Sequence, residues 1–467
     1  MDAILPRKYT RRRPYALHKM LLSVSILCTC FTFYTMLIIA DTNKLEDATT
    51  IFAEEKDYRQ TAIESSKGAA ACLIIKDDNP KLIEWLAYHY QVLPLRHLVI
   101  TSDPSSRTSP TEILDRWRRT ISDLTITEWR EEDYGYSPFQ TEYFVKEEND
   151  PRKKAEQRLI SRQYAFYGKC ATFLKTRNHN SWVFNIDTDE FVVFNSAHND
   201  DPINAEEEAK NFQRMVHYLK SDKNSTLGLP PAMAYSRLGL YKKAKRRRKL
   251  TQRKDFLHEE SVLRIIRESL PKIGESTILN YVETLSSSTS IEVKQTVTPC
   301  IIIPRLWISS VEEDSLMANT LHGLDIRSFD TLRYFRHAER GGFLFNTYGK
   351  PMFDLSRVSL DDLLPVHIHR GPSNVCRNEG AFIDVFYTTS LFRIQHYAGS
   401  FKSYFRTDDD RRHVERNKFM VASNIDKGAL YDIRPWLEAF VKNVGNSKAR
   451  KLLSGVGTYS NDVYQPA

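Results

Sequence analysis

The run Trp182 to Phe194 reads Trp-Val-Phe-Asn-Ile-Asp-Thr-Asp-Glu-Phe-Val-Val-Phe, which sets three acids in the middle of an otherwise apolar segment. Aromatic and β-branched residues on both sides suit a strand buried on both faces, where an unpaired charge is expensive. A divalent cation is the natural partner for such acids. In an extended chain Asp187 and Asp189 point the same way, so one ion can take an oxygen from each, or from one directly and the other through water. The alternative is a strand end with solvated carboxylates, and the two explanations separate only on the surrounding chain.

The elements that must position these acids follow a repeating order. Ala69 to Ile75 makes a short buried strand leading to Lys76-Asp77-Asp78. Pro80 then opens a helix with Leu82, Leu86 and Tyr90 at helical spacing. A second strand is expected at His97 to Ser102, followed by the turn Asp103-Pro-Ser-Ser, a helix from Thr111 to Thr120 and a third strand at Leu124 to Trp129. Alternating strands and helices predict an α/β fold with a mostly parallel sheet and right-handed crossovers. Residues 130–150 read as a loop, and a longer helix from about Arg152 to Thr176 delivers the chain to the acidic strand. In open α/β sheets ligands bind beyond the carboxyl ends of the strands, where Asp77, Asp103 and Asp187 all fall. That convergence favours a metal and nucleotide site over solvated strand ends.

The remainder is less regular. Residues 195–292 read as a surface excursion with a return to the core at Leu227 to Tyr241, and regular structure resumes at Cys300 to Ser309. Val366-His-Ile-His reads as a strand along which His367 and His369 alternate, and Pro435 to Leu453 as an amphipathic finish.

Met20 to Ala40 carries no charge over 21 positions, long enough to span a bilayer. Six basic residues precede it and Asp41 follows, so the positive-inside bias puts the N-terminus in the cytosol. Residues 1–19 are then a cytosolic basic tail, 20–40 a type II signal anchor, 41–68 a stem, 69–455 a single domain with an excursion at about 195–292, and 456–467 a tail. A cleavable signal peptide is the competing reading, but the apolar run is too long for one and no clear cleavage site follows.

The net charge of +8 is local: residues 1–19 contribute +5 and Lys242 to Lys254 contribute +9, leaving the body at −6. The basic run is expected to be a solvated loop, and no nucleic acid is expected as partner. Cys72, Cys170, Cys300 and Cys376 lie outside the apolar span and include no CxxC pair, which argues against zinc. One or two disulfides suit an oxidising lumen, with free buried thiols at Cys72 and Cys170 as the alternative. Asn224-Ser-Thr is a glycosylation sequon on the lumenal side.

Ala71-Cys-Leu-Ile-Ile-Lys-Asp-Asp, Ile83-Glu-Trp-Leu-Ala-Tyr-His, Asp187-Thr-Asp-Glu-Phe and His396-Tyr-Ala-Gly-Ser-Phe occur in that order. In order and approximate spacing they resemble the GT-A glycosyltransferases of family 92 (DUF23) and of the family 2-like kind. The resemblance spans roughly residues 69–455. It departs from the family at Lys76-Asp77-Asp78, where members commonly carry Lys-Asn-Glu, and at the excursion 195–292, which has no placed counterpart.

The resemblance implies a metal-dependent glycosyltransferase with a GT-A, Rossmann-like sheet, taking a UDP-sugar as donor and a glycan or glycoconjugate as acceptor on the lumenal side of the Golgi membrane. Asp187 and Asp189 would hold Mn2+ or another divalent cation on the diphosphate, with His396 as third ligand. Asp77 and Asp103 would accept hydrogen bonds from uracil or ribose, and Lys350 and Arg370 would contact the diphosphate. Glu84, Trp85 and His89 are expected to brace the first helix against the sheet rather than touch substrate, and Glu190 to support the metal strand. The catalytic base stays open among Glu312, Glu313, Asp314 and Glu379. A catalytically silent glycan-binding or scaffolding protein on the same fold is the alternative.

Overall fold

Ala69–Ile75 (β1) has small and aliphatic side chains on both faces, so it forms where a sheet is covered on both sides. The computed structural model describes residues 68–135, 151–177, 182–196, 267–287, 299–310, 320–338, 349–363, 366–372, 375–376, 390–400 and 428–458. The expected anchor at 20–40, the stem, the sequon at Asn224, the return at 227–241 and the basic run 242–254 lie outside these residues. Among the described residues no helix is long and apolar enough to cross a membrane.

The next elements are α1 (Asn79–Val92), β2 (Leu95–Ser102), α2 (Thr111–Thr120), β3 (Thr125–Trp129), α3 (Pro151–Thr176) and β4 (Trp182–Asn185). Two further strands, β6 (Cys300–Ile303) and β10 (Lys350–Asp354), complete a six-stranded sheet in the order β3-β2-β1-β4-β10-β6. β1 pairs in parallel with both β2 and β4, and β2 with β3, while β10 runs antiparallel to β4 and β6. The protein is therefore mixed α/β with a mostly parallel central sheet and flanking helices.

Alternation along β1 divides the core. Ala69, Ala71, Leu73 and Ile75 face a cluster with Leu82 and Leu86 of α1 and Trp436 and Phe440 of α6 (Trp436–Val444). Ala70 and Cys72 face the opposite cluster, with Phe166, Tyr167 and Leu174 of α3. Cys72 is disulfide-bonded to Cys170 on that helix, and Cys300 to Cys376.

The acidic run is not one strand. β4 ends at Asn185, and β5 (Glu190–Phe194) belongs to a separate three-stranded sheet in the order β5-β11-β7, where β7 is Arg305–Ile308 and β11 is Phe392–Tyr397. Between them the chain turns, and the Glu190 N–H donates to the Asp187 carbonyl at 3.1 Å. A continuous buried strand would leave three carboxylates with no route to partners or solvent, and the turn supplies one. The chain makes the same crossing between β6 and β7 at Pro304. Both crossings open onto one seam between the sheets, so acids from the first and Arg305 from the second meet there.

The expected strand at Val366–His369 is also replaced by a turn. The His367 N–H donates to the Arg370 carbonyl at 2.8 Å, and the Arg370 N–H donates back at 2.9 Å. Among the smaller elements, α4 is Ile278–Ser287, the hairpin β8 (Thr320–Leu321) and β9 (Leu324–Asp325) follows β7, and α5 (Asp330–Arg333) is a single turn. The amphipathic finish expected from Pro435 to Leu453 forms two helices divided at Gly445, α6 and α7 (Asn446–Leu452).

Candidate active site

Four elements bring charge to the seam. The turn carries Asp187, Asp189 and Glu190, β10 begins with Lys350, β7 begins with Arg305, and β11 carries His396. The Lys350 ammonium, 0 % exposed, lies 2.7 Å from Asp187 Oδ2 and 3.0 Å from Glu190 Oε2. Glu190, also 0 % exposed, receives Arg305 Nε at 2.9 Å on its other oxygen and the Asp187 N–H at 2.9 Å. Burial pushes the Glu190 carboxyl up, but Lys350, Arg305 and His396 outweigh it and hold the group below its ordinary value. It is a fixed anion that locks the turn between two cations.

Asp187 behaves differently. Burial pushes its carboxyl up, Lys350 opposes that, and Glu190 and Asp189 add to it. The side chain keeps 42 % of its surface, so the upward push is that of a site ringed by protein rather than sealed. Asp189 is held more loosely, with His396 Nε2 at 3.5 Å and Lys81 Nζ at 3.8 Å from its Oδ2. Tyr397 donates its N–H to the Asp189 carbonyl at 2.9 Å, tying the turn to β11.

The two aspartates offer hard oxygen donors at the edge of the seam. Among the described residues no group of three or more His, Cys, Asp or Glu side chains is arranged to hold a metal. Two carboxylates suit a cation that arrives with a phosphate-bearing substrate, whose oxygens and water complete the shell. His396 is brought to the acids, but Arg305 meets its Nδ1 and Nε2 faces Asp189. Arg can only donate, so Nδ1 accepts and both ring nitrogens are engaged. His396 thus stands beside Asp189, with Arg305 at its other ring nitrogen.

The other expected contacts are distributed around this centre. Asp77 sits at φ 52° and accepts from the Arg107 and Thr108 N–H groups at 2.7 and 2.9 Å, stitching the loop after β1 to the loop after β2. Asp103 accepts from Ser105 N–H at 2.9 Å and pairs with Arg162 at 3.0 Å, and Arg162 also reaches Glu131 at 2.8 Å. Arg370 is exposed on its turn. His369 in that turn is held well below its ordinary value by burial and by the Lys350 and Arg305 charges. Glu312, Glu313, Asp314 and Glu379 lie outside the described residues.

Sequence reasoning missed Lys81, Arg305 and Arg162. Two carried a signal. Lys81 follows Pro80 in the first turn of α1, where the helix dipole disfavours a cation, and it is buried there because anions face it. Arg305 interrupts the apolar run Cys300 to Ile308 much as the acids interrupt theirs.

Glu84 braces α1 from below, accepting the Asp330 and Thr331 N–H groups at 2.8 and 3.0 Å and the Thr331 hydroxyl at 2.5 Å. Burial and then Asp330 push its carboxyl from 4.5 to about 8, against those hydrogen bonds. The folded state therefore keeps a proton that the unfolded chain releases near the ordinary value. Stability from this group is full below the unfolded pKa and is lost as pH rises toward about 8. Denaturant midpoints measured across that window are expected to fall with pH in the wild type and to fall less in Glu84→Gln. Among protein-family models and curated proteins, none matches this chain at a significant level.

Proposed function

We propose that the chain is a metal-dependent glycosyltransferase of GT-A type, akin to family 92 and family 2-like enzymes. It moves a sugar, a hexose in the simplest case, from a UDP-sugar to a hydroxyl of a glycan or glycoconjugate. The observation that carries this is the Asp187 to Glu190 turn, which presents two partly exposed carboxylates beyond the carboxyl end of β4 while burying the third between Lys350 and Arg305. A binding crevice at the strand ends of a parallel sheet is where a nucleotide is received. The address proposed with this activity is the Golgi membrane, with residues 20–40 as a type II anchor and the catalytic unit in the lumen.

Asp187 and Asp189 would hold the cation, which when bound supplies positive charge against the diphosphate. The protein's own groups set the geometry. Glu190, Lys350 and Arg305 fix the turn, and His396 and Lys81 aim Asp189. Asp103 with Arg162, at the end of the neighbouring strand β2, offers polar groups for a base or ribose.

The test is to incubate the full chain with a panel of UDP-sugars, with Mn2+ and with a chelator. Donor turnover that depends on Mn2+ is expected. Turnover indifferent to the chelator would remove the metal assignment, and saturable UDP binding without hydrolysis or transfer would favour the silent glycan-binding alternative.

A further inference from the structure

Lys350 reaches the acidic turn from the first position of β10, and the sheet alone holds that position weakly. Pro351 follows it, opposite Ile302 of β6, and has no N–H to give to a neighbouring strand. Yet the ammonium is fully buried and lies 2.7 and 3.0 Å from two different carboxylates, which requires a fixed backbone beneath it.

The turn 366–372 supplies that hold on both sides of the lysine. His369 Nδ1 lies 3.0 Å from the Gly349 carbonyl, and a carbonyl only accepts, so Nδ1 carries the proton and donates. After the lysine, the Gly371 backbone lies against the Pro351 ring. A Cβ at Gly371 would stand 3.1 Å from Pro351 Cβ and 3.2 Å from Cys300 Sγ and would overlap Cys376 Sγ, so a side chain there would push the turn off β10.

The turn itself is anchored at three points. Val366 and Ile368 are buried in the cluster beneath α3. His367 Nε2 meets Gln163 Oε1 of α3 at 2.8 Å, with its ring 4.5 Å from that of Tyr164. The Cys376 N–H donates to the Pro372 carbonyl at 2.8 Å, and its sulfur is bonded to Cys300 at the start of β6. That bond closes the turn onto the strand paired with β10.

We infer that the 366–372 turn, latched by the Cys300–Cys376 disulfide, is a clamp that positions Lys350 against Asp187 and Glu190, with His369 and Gly371 as positioning residues. The inference deepens the glycosyltransferase reading above and rests on it for its ligand, a nucleoside diphosphate. His369 and Gly371 act on that ligand through Lys350, which keeps the acidic turn set.

The experiment titrates UDP with Mn2+ into the full-length wild type, His369→Leu, His369→Asn, Cys376→Ser, Lys350→Met and the Lys350→Met/His369→Leu double variant, and reads urea unfolding midpoints on the same preparations. His369→Leu and Cys376→Ser are expected to weaken UDP binding by about 10- to 100-fold. His369→Asn, whose amide keeps a donor toward Gly349, is expected to recover most of that loss. In the Lys350→Met background His369→Leu is expected to add little, because its effect passes through the lysine. Wild-type affinity in His369→Leu or in folded Cys376→Ser, no recovery in His369→Asn, or losses that simply add would each overturn the clamp. Where Cys376→Ser does not fold, the His369 variants decide. A wild type that binds no UDP would overturn the transferase reading instead, and the unfolding midpoints then test the clamp. His369→Leu is expected to cost less stability in Lys350→Met than in wild type, and equal costs would overturn it.

Discussion

Replacing Lys350 by Met is expected to destabilise the fold by about 3 kcal/mol, the low end for removing one partner of a buried ion pair. The low end applies because Arg305 stays on Glu190 at 2.9 Å and Asp187 keeps solvent on part of its surface. Without the ammonium, Glu190 loses one of its two cations and Asp187 its partner, so both carboxyls gain proton affinity in the folded state. A carboxyl whose folded pKa is raised contributes stability at low pH that is lost as pH rises. Lys350→Met is therefore expected to regain stability as pH falls from about 8 to about 5, relative to wild type. Denaturant midpoints at the two ends of that range measure this. A variant as stable as wild type, or equally destabilised at both pH values, would show that Lys350 does not neutralise these acids.

Asp189→Ala is expected to do the reverse, removing activity and sparing the fold. The side chain is partly exposed and its ion pairs are long, at 3.5 and 3.8 Å, so stability should change by less than about 1 kcal/mol. The carbonyl that accepts from Tyr397 survives the substitution. If the chain has the proposed transferase activity, losing Asp189 is expected to lower transfer by about 10²- to 10³-fold. Turnover of the best UDP-sugar, read beside thermal unfolding of the same preparation, checks both halves. Retained turnover would move the cation site away from Asp189.

The first three strands and the helices between them were legible from apolar stretches punctuated by Pro80, Asp103-Pro and charged loops, whereas β10 (Lys350–Asp354), which completes the central sheet, was not. The helix at Thr111–Thr120 falls where its spacing put it. The break inside Trp182 to Phe194 was not legible, since the residues on both sides of the acids are equally apolar and equally buried. Nothing in the composition of Glu190 to Phe194 says that it pairs with β11 rather than continuing β4.

Individual acids were visible as anomalies, but their partners were not. Lys350 is 163 residues from Asp187, and Glu84 meets Thr331 across 247. Such pairings follow from the way the two sheets are joined, and a single sequence does not carry that junction. The prominence of Asp77 and Asp103 at strand ends was correct in position. Asp77 stitches two loops and Asp103 shares its charge with Arg162. A strand-end acid can be spent on holding the loops that frame a site.

The most direct measurement is the calorimetric titration of UDP into the full chain in the presence and absence of Mn2+. Saturable binding at one site per chain, strengthened by Mn2+ and weakened in Asp189→Ala, is the predicted result. No UDP binding in either condition, from protein whose unfolding transition is cooperative, would contradict the assignment of the Asp187 to Glu190 turn to a nucleotide-sugar site.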